Sequence, residues 1–168
     1  VRKAAASVAE RELVIMTLAS DDPAEALMRL RSIGADINEL RLAGVLSLRF
    51  VRRVCTGCAK RSQVDPTILA GFPPYFQKMN LEKYVVGRGC DVCGQSGYKG
   101  CLGLQSVLRM TEGVTQLYMQ GAGHVELIEA LYPKGLKPLL EDGLRKALEG
   151  LTTFEAVAKV ATSAPQVY

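Results

Sequence analysis

VCTGCAK (Val54–Lys60) and GCDVCGQSGYKG (Gly89–Gly100) each carry a Cys-x-x-Cys pair, Cys55 with Cys58 and Cys90 with Cys93. Two residues between paired cysteines let both thiolates turn inward from one tight loop. Two such loops facing each other make a closed S4 site, the arrangement that structural Zn²⁺ prefers. The 31 residues between Cys58 and Cys90 exceed the common ribbon spacing, so the metal would clip together a sizeable inserted loop. Loop-closure entropy grows only slowly with length, whereas zinc binding supplies roughly 10–16 kcal/mol in small zinc peptides. Disulfides would suit a secreted protein, but no signal-peptide pattern is visible and the cysteine count of five is odd. A redox Cys-x-x-Cys usually occurs singly beside a βαβ pattern, and two matched pairs fit that poorly. Zinc is the favoured reading, with Cys55, Cys58, Cys90 and Cys93 as ligands. Cys101 stands outside the pairs and is expected to be a small side chain packed near the metal loop.

Composition sets the frame around these loops. The 168 residues are 48% apolar and 23% charged, which is ordinary for a globular protein able to bury a core. No apolar run approaches the ~20 residues of a membrane span, and a compartment that keeps thiols reduced points to the cytoplasm. The net charge of +4 is mild. Arg41, Arg49, Arg52, Arg53, Lys60 and Arg61 fall within 21 positions. Only one aromatic residue, Phe50, falls among them, so the cluster reads as a solvated or subunit-facing helix surface in preference to a nucleic-acid face.

LVIMTLA, Leu13–Ala19, is a short apolar run bounded by charge and is expected to be a buried strand. Asp22, Pro23 and Glu25 then set up a helix start, with a capping side chain, proline at the first helical position and a capping-box-like glutamate. Gly34 supplies the stop. Asp36 and Glu39 repeat the device, and Ile37, Leu40, Val45, Leu48 and Val51 predict a second helix leading into the first cysteine pair. Pro66, Gly71, Pro73 and Pro74 break the insert at 59–86 into short helices and turns. Beyond the second pair, GYKGCLGLQSVLRM predicts a turn and a short strand. Helices are expected after Thr111 and Pro138, and a Thr152/Glu155 capping box opens the last one. Gly143 inside the penultimate helix costs about 1 kcal/mol against alanine, which implies close packing there.

Catalytic signatures are missing from this chain. It has no G-x-x-x-x-G-K-[ST], no G-x-S-x-G and no H-E-x-x-H. The single histidine, His124, is expected to be exposed near a helix start. Asp21–Asp22 and Glu141–Asp142 read as helix-terminal charges. No catalytic and no nucleotide-binding residue is assigned.

The order of these features resembles the C-terminal part of the ATPases that drive type II secretion and type IV pilus assembly, the GspE/PilB-like family. AGVLSLRFVRRVCTGCAK is similar to that family's run into the first cysteine pair. GCDVCGQSGYKG is similar to the second pair, and LLEDGLRKALEGLTTFEAVAKV to the terminal signature. Upstream, LVIMTLASDDPAEALMRLRSIG resembles a strand and helix of the ATP-hydrolysing core. The resemblance implies an α/β fold: the C-terminal part of a RecA-like P-loop NTPase domain, an inserted zinc-binding subdomain and a C-terminal helical bundle. It divides the chain into the end of the RecA-like core at 1–54, the tetracysteine element at 55–100, and a short strand with a helical tail at 101–168. It implies a phosphate-binding loop upstream, ATP and Mg²⁺ as cofactors of the full-length family, and no ATP turnover by this chain alone. It also implies a homo-hexamer at the cytoplasmic face of the inner membrane, working with platform proteins and without nucleic acid.

Four positions depart from the family pattern. Ala19 stands where a histidine follows the core strand, and Arg11 and Glu12 replace a Gly-His pair. Leu48 replaces a glutamine, and Cys101 an arginine. Losing an electrostatic contact to a transferring phosphoryl group costs on the order of 10²–10³ in rate. The resemblance thus implies either a divergent motor or a subunit with weak hydrolysis, and a non-hydrolysing adaptor on the same scaffold is the competing expectation.

Overall fold

The computed structural model describes residues 7, 12–70, 84–134 and 136–161. In chain order the elements are α1 (Pro23–Ser32), β1 (Gly44–Val54), β2 (Ala59–Arg61), α2 (Pro66–Leu69), β3 (Val85–Gly87), β4 (Tyr98–Arg109), α3 (Glu112–Met119), α4 (His124–Leu131), α5 (Leu139–Leu148) and α6 (Phe154–Ala161). The fold is mixed α/β. β1 pairs with β4, and β2 pairs antiparallel with β3 in the register Ala59↔Gly87. The Met110 amide donates to the Ala43 carbonyl at one end of the long ribbon, and the Cys55 amide to the Gly97 carbonyl at the other, so β1 and β4 are antiparallel.

Two compact units emerge. One holds residues through Ser47 together with Ser106–Lys137, and the other holds Leu48–Gln105 with residues from Pro138 onward. In the first unit, Asp22 caps α1 by accepting from the Glu25 amide at 2.9 Å, and the Glu25 carboxylate accepts from the Asp21 amide. Pro23 begins the helix, and Gly34 leaves it at φ +70°. Ala24, Leu27 and Leu30 of α1 pack with Val114 and Tyr118 of α3 and with Leu127, Ile128 and Leu131 of α4. The Tyr118 hydroxyl donates to the Ala35 carbonyl at 3.0 Å, which satisfies a polar atom inside this core.

The second unit gathers Val51, Val64, Tyr84 and Leu104 against Leu139, Leu140, Leu144 and Ala147 of α5 and Phe154 and Val157 of α6. The expected tight approach at Gly143 is present. A methyl group placed on it would lie 2.5 Å from Val157 Cγ1 and 3.0 Å from Leu104 Cδ1. α5 is also tied to β4 by charge. The buried Asp142 accepts from the Gln105 amide at 3.0 Å and from Arg145 and Lys146, and Lys146 Nζ donates to the Gly103 carbonyl. Asp142 is therefore a cross-element tie as well as a helix-terminal charge.

Several expectations are corrected. Residues 12–20 form no strand, and Leu13 and Ile15 are 89% and 85% exposed. Apolar β-formers supply propensity, but a strand exists only where neighbouring backbone satisfies its amides and carbonyls. The helix expected after Asp36 is a single turn, with the Asp36 carboxylate accepting from the Asn38 amide, followed by Arg41 at φ 43° and then β1. Val45, Leu48 and Val51 recur every third residue, a spacing compatible with a helix; pairing to β4 decided for strand. Of the basic cluster, Arg49, Arg52 and Arg53 consequently lie on β1, Lys60 and Arg61 on β2 and Arg41 in the turn before β1, none of them on a helix. The strand after the second cysteine pair is 12 residues long. Thr153, and not Thr152, accepts from the Ala156 amide at the start of α6, while the Thr152 hydroxyl donates to the Arg52 carbonyl. Of the insert, Asp65 caps α2 with Pro66 at its first position, while Gly71, Pro73 and Pro74 lie outside the described residues.

Candidate metal centre

The two cysteine loops are knuckles at the ends of paired strands. The first follows β1 directly. The Cys58 amide donates to the Cys55 carbonyl at 3.2 Å, closing the loop, and β2 begins at Ala59. The second is a single 3₁₀ turn, Asp91–Cys93, with the Cys93 and Gln95 amides both donating to the Cys90 carbonyl. Gly94 and Gln95 take left-handed backbone conformations to leave the turn, at φ 56° and 63°. The loops are held face to face by hydrogen bonds on either side, Cys55 amide to Gly97 carbonyl at 3.0 Å and Arg88 amide to Cys58 carbonyl at 3.1 Å. Gly87 and Gly97 approach so closely that a Cβ on either would collide with the backbone of the other.

This framework brings all four expected sulfurs together. Every pair of sulfur atoms among Cys55, Cys58, Cys90 and Cys93 lies within 4.8 Å. Cys55–Cys90 and Cys58–Cys93 are 3.9 Å apart and Cys90–Cys93 3.8 Å, with no disulfide among them. Four sulfurs at ~2.3 Å from one tetrahedral ion would sit about 3.8 Å from each other, so these three separations match a tetrahedral tetrathiolate site and the cluster could hold a metal ion. Backbone amides complete the surroundings. Gly89 donates to Cys58 Sγ, and Cys90 and Gly97 donate to Cys93 Sγ, each at 3.3 Å. Donors aimed at sulfur favour the thiolate, the form that ligates metal. Desolvation opposes charge at Cys93, but the Cys90 and Gly97 amides outweigh it and bring this thiol down to about 6. At Cys58 desolvation wins over the Gly89 amide and pushes the thiol up to about 11. A divalent cation reverses that local balance by stabilising all four thiolates at once.

The sequence pointed to the four cysteines but not to their amide donors. Glycine at 89 and 97, beside the cysteines, was the only available signal. Cys101 is exposed on β4 and takes no part in the cluster, contrary to its expected packing against the metal loop. His124 begins α4 as expected, but it is not exposed. Its Nε2 lies 2.7 Å from the Asp22 carboxylate, and its side chain is only 19% accessible.

The model of the family described as "Type II/IV secretion system protein" matches residues 4–159. The chain belongs to this family. Among curated relatives of this secretion-family chain, the type IV pilus assembly ATPase PilB of Thermus thermophilus is 37% identical over 147 residues, covering 86% of the chain and 16% of that protein. The type IV pilus assembly ATPase TfpB of Acinetobacter baylyi is 32% identical over 150 residues, 88% of the chain and 26% of that protein. The type II secretion system protein HxcR of Pseudomonas aeruginosa is 30% identical over 154 residues, 90% of the chain and 29% of that protein. The chain thus spans less than a third of the length of each of these relatives. No helix among the described residues is long and apolar enough to cross a membrane.

Proposed function

We propose that this chain is the C-terminal region of a motor ATPase that couples ATP-driven motion to protein export or pilus extension. The supporting observation is the family match across residues 4–159, joined to relatives named as pilus-assembly ATPases and a secretion protein. On this reading residues 1–54 end a RecA-like core, 55–100 form the metal element and 101–168 a strand and the helical tail. Cys55, Cys58, Cys90 and Cys93 hold one structural Zn²⁺ with no open coordination position. The ion would supply cross-linking, not chemistry on a substrate. ATP and Mg²⁺ bind elsewhere in the full-length motor, and no catalytic residue is assigned to this chain. The motor would be a homo-hexamer, cytoplasmic and peripheral at the inner membrane, acting on platform proteins and not on nucleic acid.

Ala19, where the family pattern carries a histidine, favours a second reading, a non-hydrolysing adaptor or assembly protein on the same scaffold. A chimaera separates the two. Residues 4–159 replace the corresponding stretch of the Thermus thermophilus PilB, and bound zinc and ATP turnover are measured on the purified protein. The motor reading expects zinc-loaded protein whose turnover is depressed on the order of 10²-fold and recovers with Ala19→His, most fully when Leu48→Gln is added. A folded, zinc-loaded chimaera with no turnover even after both changes would sink the motor reading and favour the adaptor.

A further inference from the structure

The end of β1 and the start of β4, each beside a cysteine knuckle, both touch the turn that opens α6. The Val54 amide, immediately before Cys55, donates to the Leu151 carbonyl at 3.0 Å. The Thr152 hydroxyl donates to the Arg52 carbonyl at 2.8 Å. The Tyr98 hydroxyl shares a 3.0 Å hydrogen bond with Thr153 Oγ1, and Tyr98 directly follows Gly97, whose amide donates to Cys93 Sγ. Arg52 lies over the Tyr98 ring at 3.9 Å from its centroid, fastening these two contacts to each other. On the third side, Tyr84 precedes β3, the strand that leads to Gly89 and its hydrogen bond with Cys58 Sγ. The Tyr84 hydroxyl donates to the Glu155 carboxylate at 3.1 Å, and its ring packs on Phe154 at 5.0 Å. Leu151, Thr152, Thr153, Phe154 and Glu155 are consecutive. Five neighbouring residues therefore read the positions of three backbone segments, and the cysteine loops set the spacing of those segments.

We propose that metal occupancy of the cysteine cluster and docking of α6 are thermodynamically linked through the turn Leu151–Glu155, with Tyr98 and Tyr84 as the positioning residues. This rests on the metal reading given above. With an ion bound, the knuckles hold β1, β3 and β4 in the register that Leu151, Thr152, Thr153 and Glu155 require. Without it, four sulfurs relax apart and those contacts lose their common frame. Linkage is reciprocal, so the factor by which metal favours docked α6 is the factor by which docked α6 tightens the metal. α5 is a built-in control, because it is fastened to β4 independently through Asp142 and Lys146. The device makes the C-terminal helix a reporter of the metal site: what binds or modifies one end of it is felt at the other.

The test uses the full 168-residue chain loaded with zinc. Amide hydrogen exchange of α6 and α5 is followed before and after removal of zinc by a chelator, and zinc release to that chelator is timed in variants. The linkage predicts at least tenfold faster exchange in α6 on zinc removal, with α5 changing less than threefold. Tyr98→Phe should speed zinc release about fivefold and Thr153→Ala, which also removes the cap to the Ala156 amide, at least as much; the double variant should be no faster than Thr153→Ala, which already lacks the hydrogen bond that Tyr98→Phe removes. Equal loss of protection in α5 and α6, with release rates unchanged in the variants, would overturn the linkage and leave the metal site standing. Failure of the wild-type chain to hold zinc at all would overturn the metal reading and the linkage with it.

Discussion

Gly143→Ala sets two known energies against each other at one site. In an exposed helix the substitution would stabilise by about 1 kcal/mol, because glycine loses more backbone entropy than alanine on folding. Here the new methyl would stand 2.5 Å and 3.1 Å from the two Cγ atoms of Val157 and 3.0 Å from Leu104 Cδ1. Val157 and Leu104 are fully buried and Val157 has a stiff branched side chain, so relief requires α5 and α6 to separate. Overpacking of this kind costs about 1–3 kcal/mol. The net expectation is a loss of about 1 kcal/mol. In a Val157→Ala background both Cγ atoms are gone, and only the 3.0 Å approach to Leu104 Cδ1 remains, which that side chain relieves by a small shift into the space vacated. The large-to-small change alone should cost about 2 kcal/mol, and adding Gly143→Ala should then recover close to 1 kcal/mol. The sign of one substitution thus reverses with its neighbour, a coupling of roughly 2 kcal/mol. Urea unfolding of the zinc-loaded protein, followed by helical circular dichroism, measures all four corners of the cycle through the midpoint at constant slope. Stabilisation by Gly143→Ala in both backgrounds would refute the packing argument.

Cys101→Ser should leave one zinc per chain, whereas Cys90→Ser combined with Cys93→Ser should abolish it; elemental analysis of protein purified without chelator decides. Burial alone would raise the Asp142 carboxyl, but hydrogen bonds from Lys146, Arg145 and the Gln105 amide hold it below the ordinary carboxylate value. Its contribution to stability is therefore present above about pH 4 and fades as pH falls through the lower folded value. Asp142→Asn should cost roughly 3 kcal/mol near neutrality and flatten the acid limb of a stability-against-pH curve. Asp22→Ala removes both the α1 cap and the His124 partner and should cost at least about 1 kcal/mol, while Asp22→Asn, which can still cap, should lose less than half as much in the same urea assay.

The sequence alone determined features whose causes are local. Asp22, Pro23 and Gly34 bound α1 because capping, a fixed φ and a left-handed exit each need only one residue of the right type. The paired cysteine spacing likewise identified Cys55, Cys58, Cys90 and Cys93, since two intervening residues suffice to turn two thiolates inward. The order of the motifs pointed to the family before any geometry was known. The tertiary structure decided whatever depends on what lies alongside. Residues 44–54 have a spacing that suits a helix or a strand, and only β4 opposite them selects the strand. Leu13–Ala19 has strand-forming residues but no described partner strand beside it, so propensity alone did not suffice. Asp22 found His124, which is 102 positions away, and Thr152 exchanged its expected cap for the Arg52 carbonyl. Pairwise contacts over such separations leave no mark in composition or periodicity, because the chain must close a long loop before either partner senses the other.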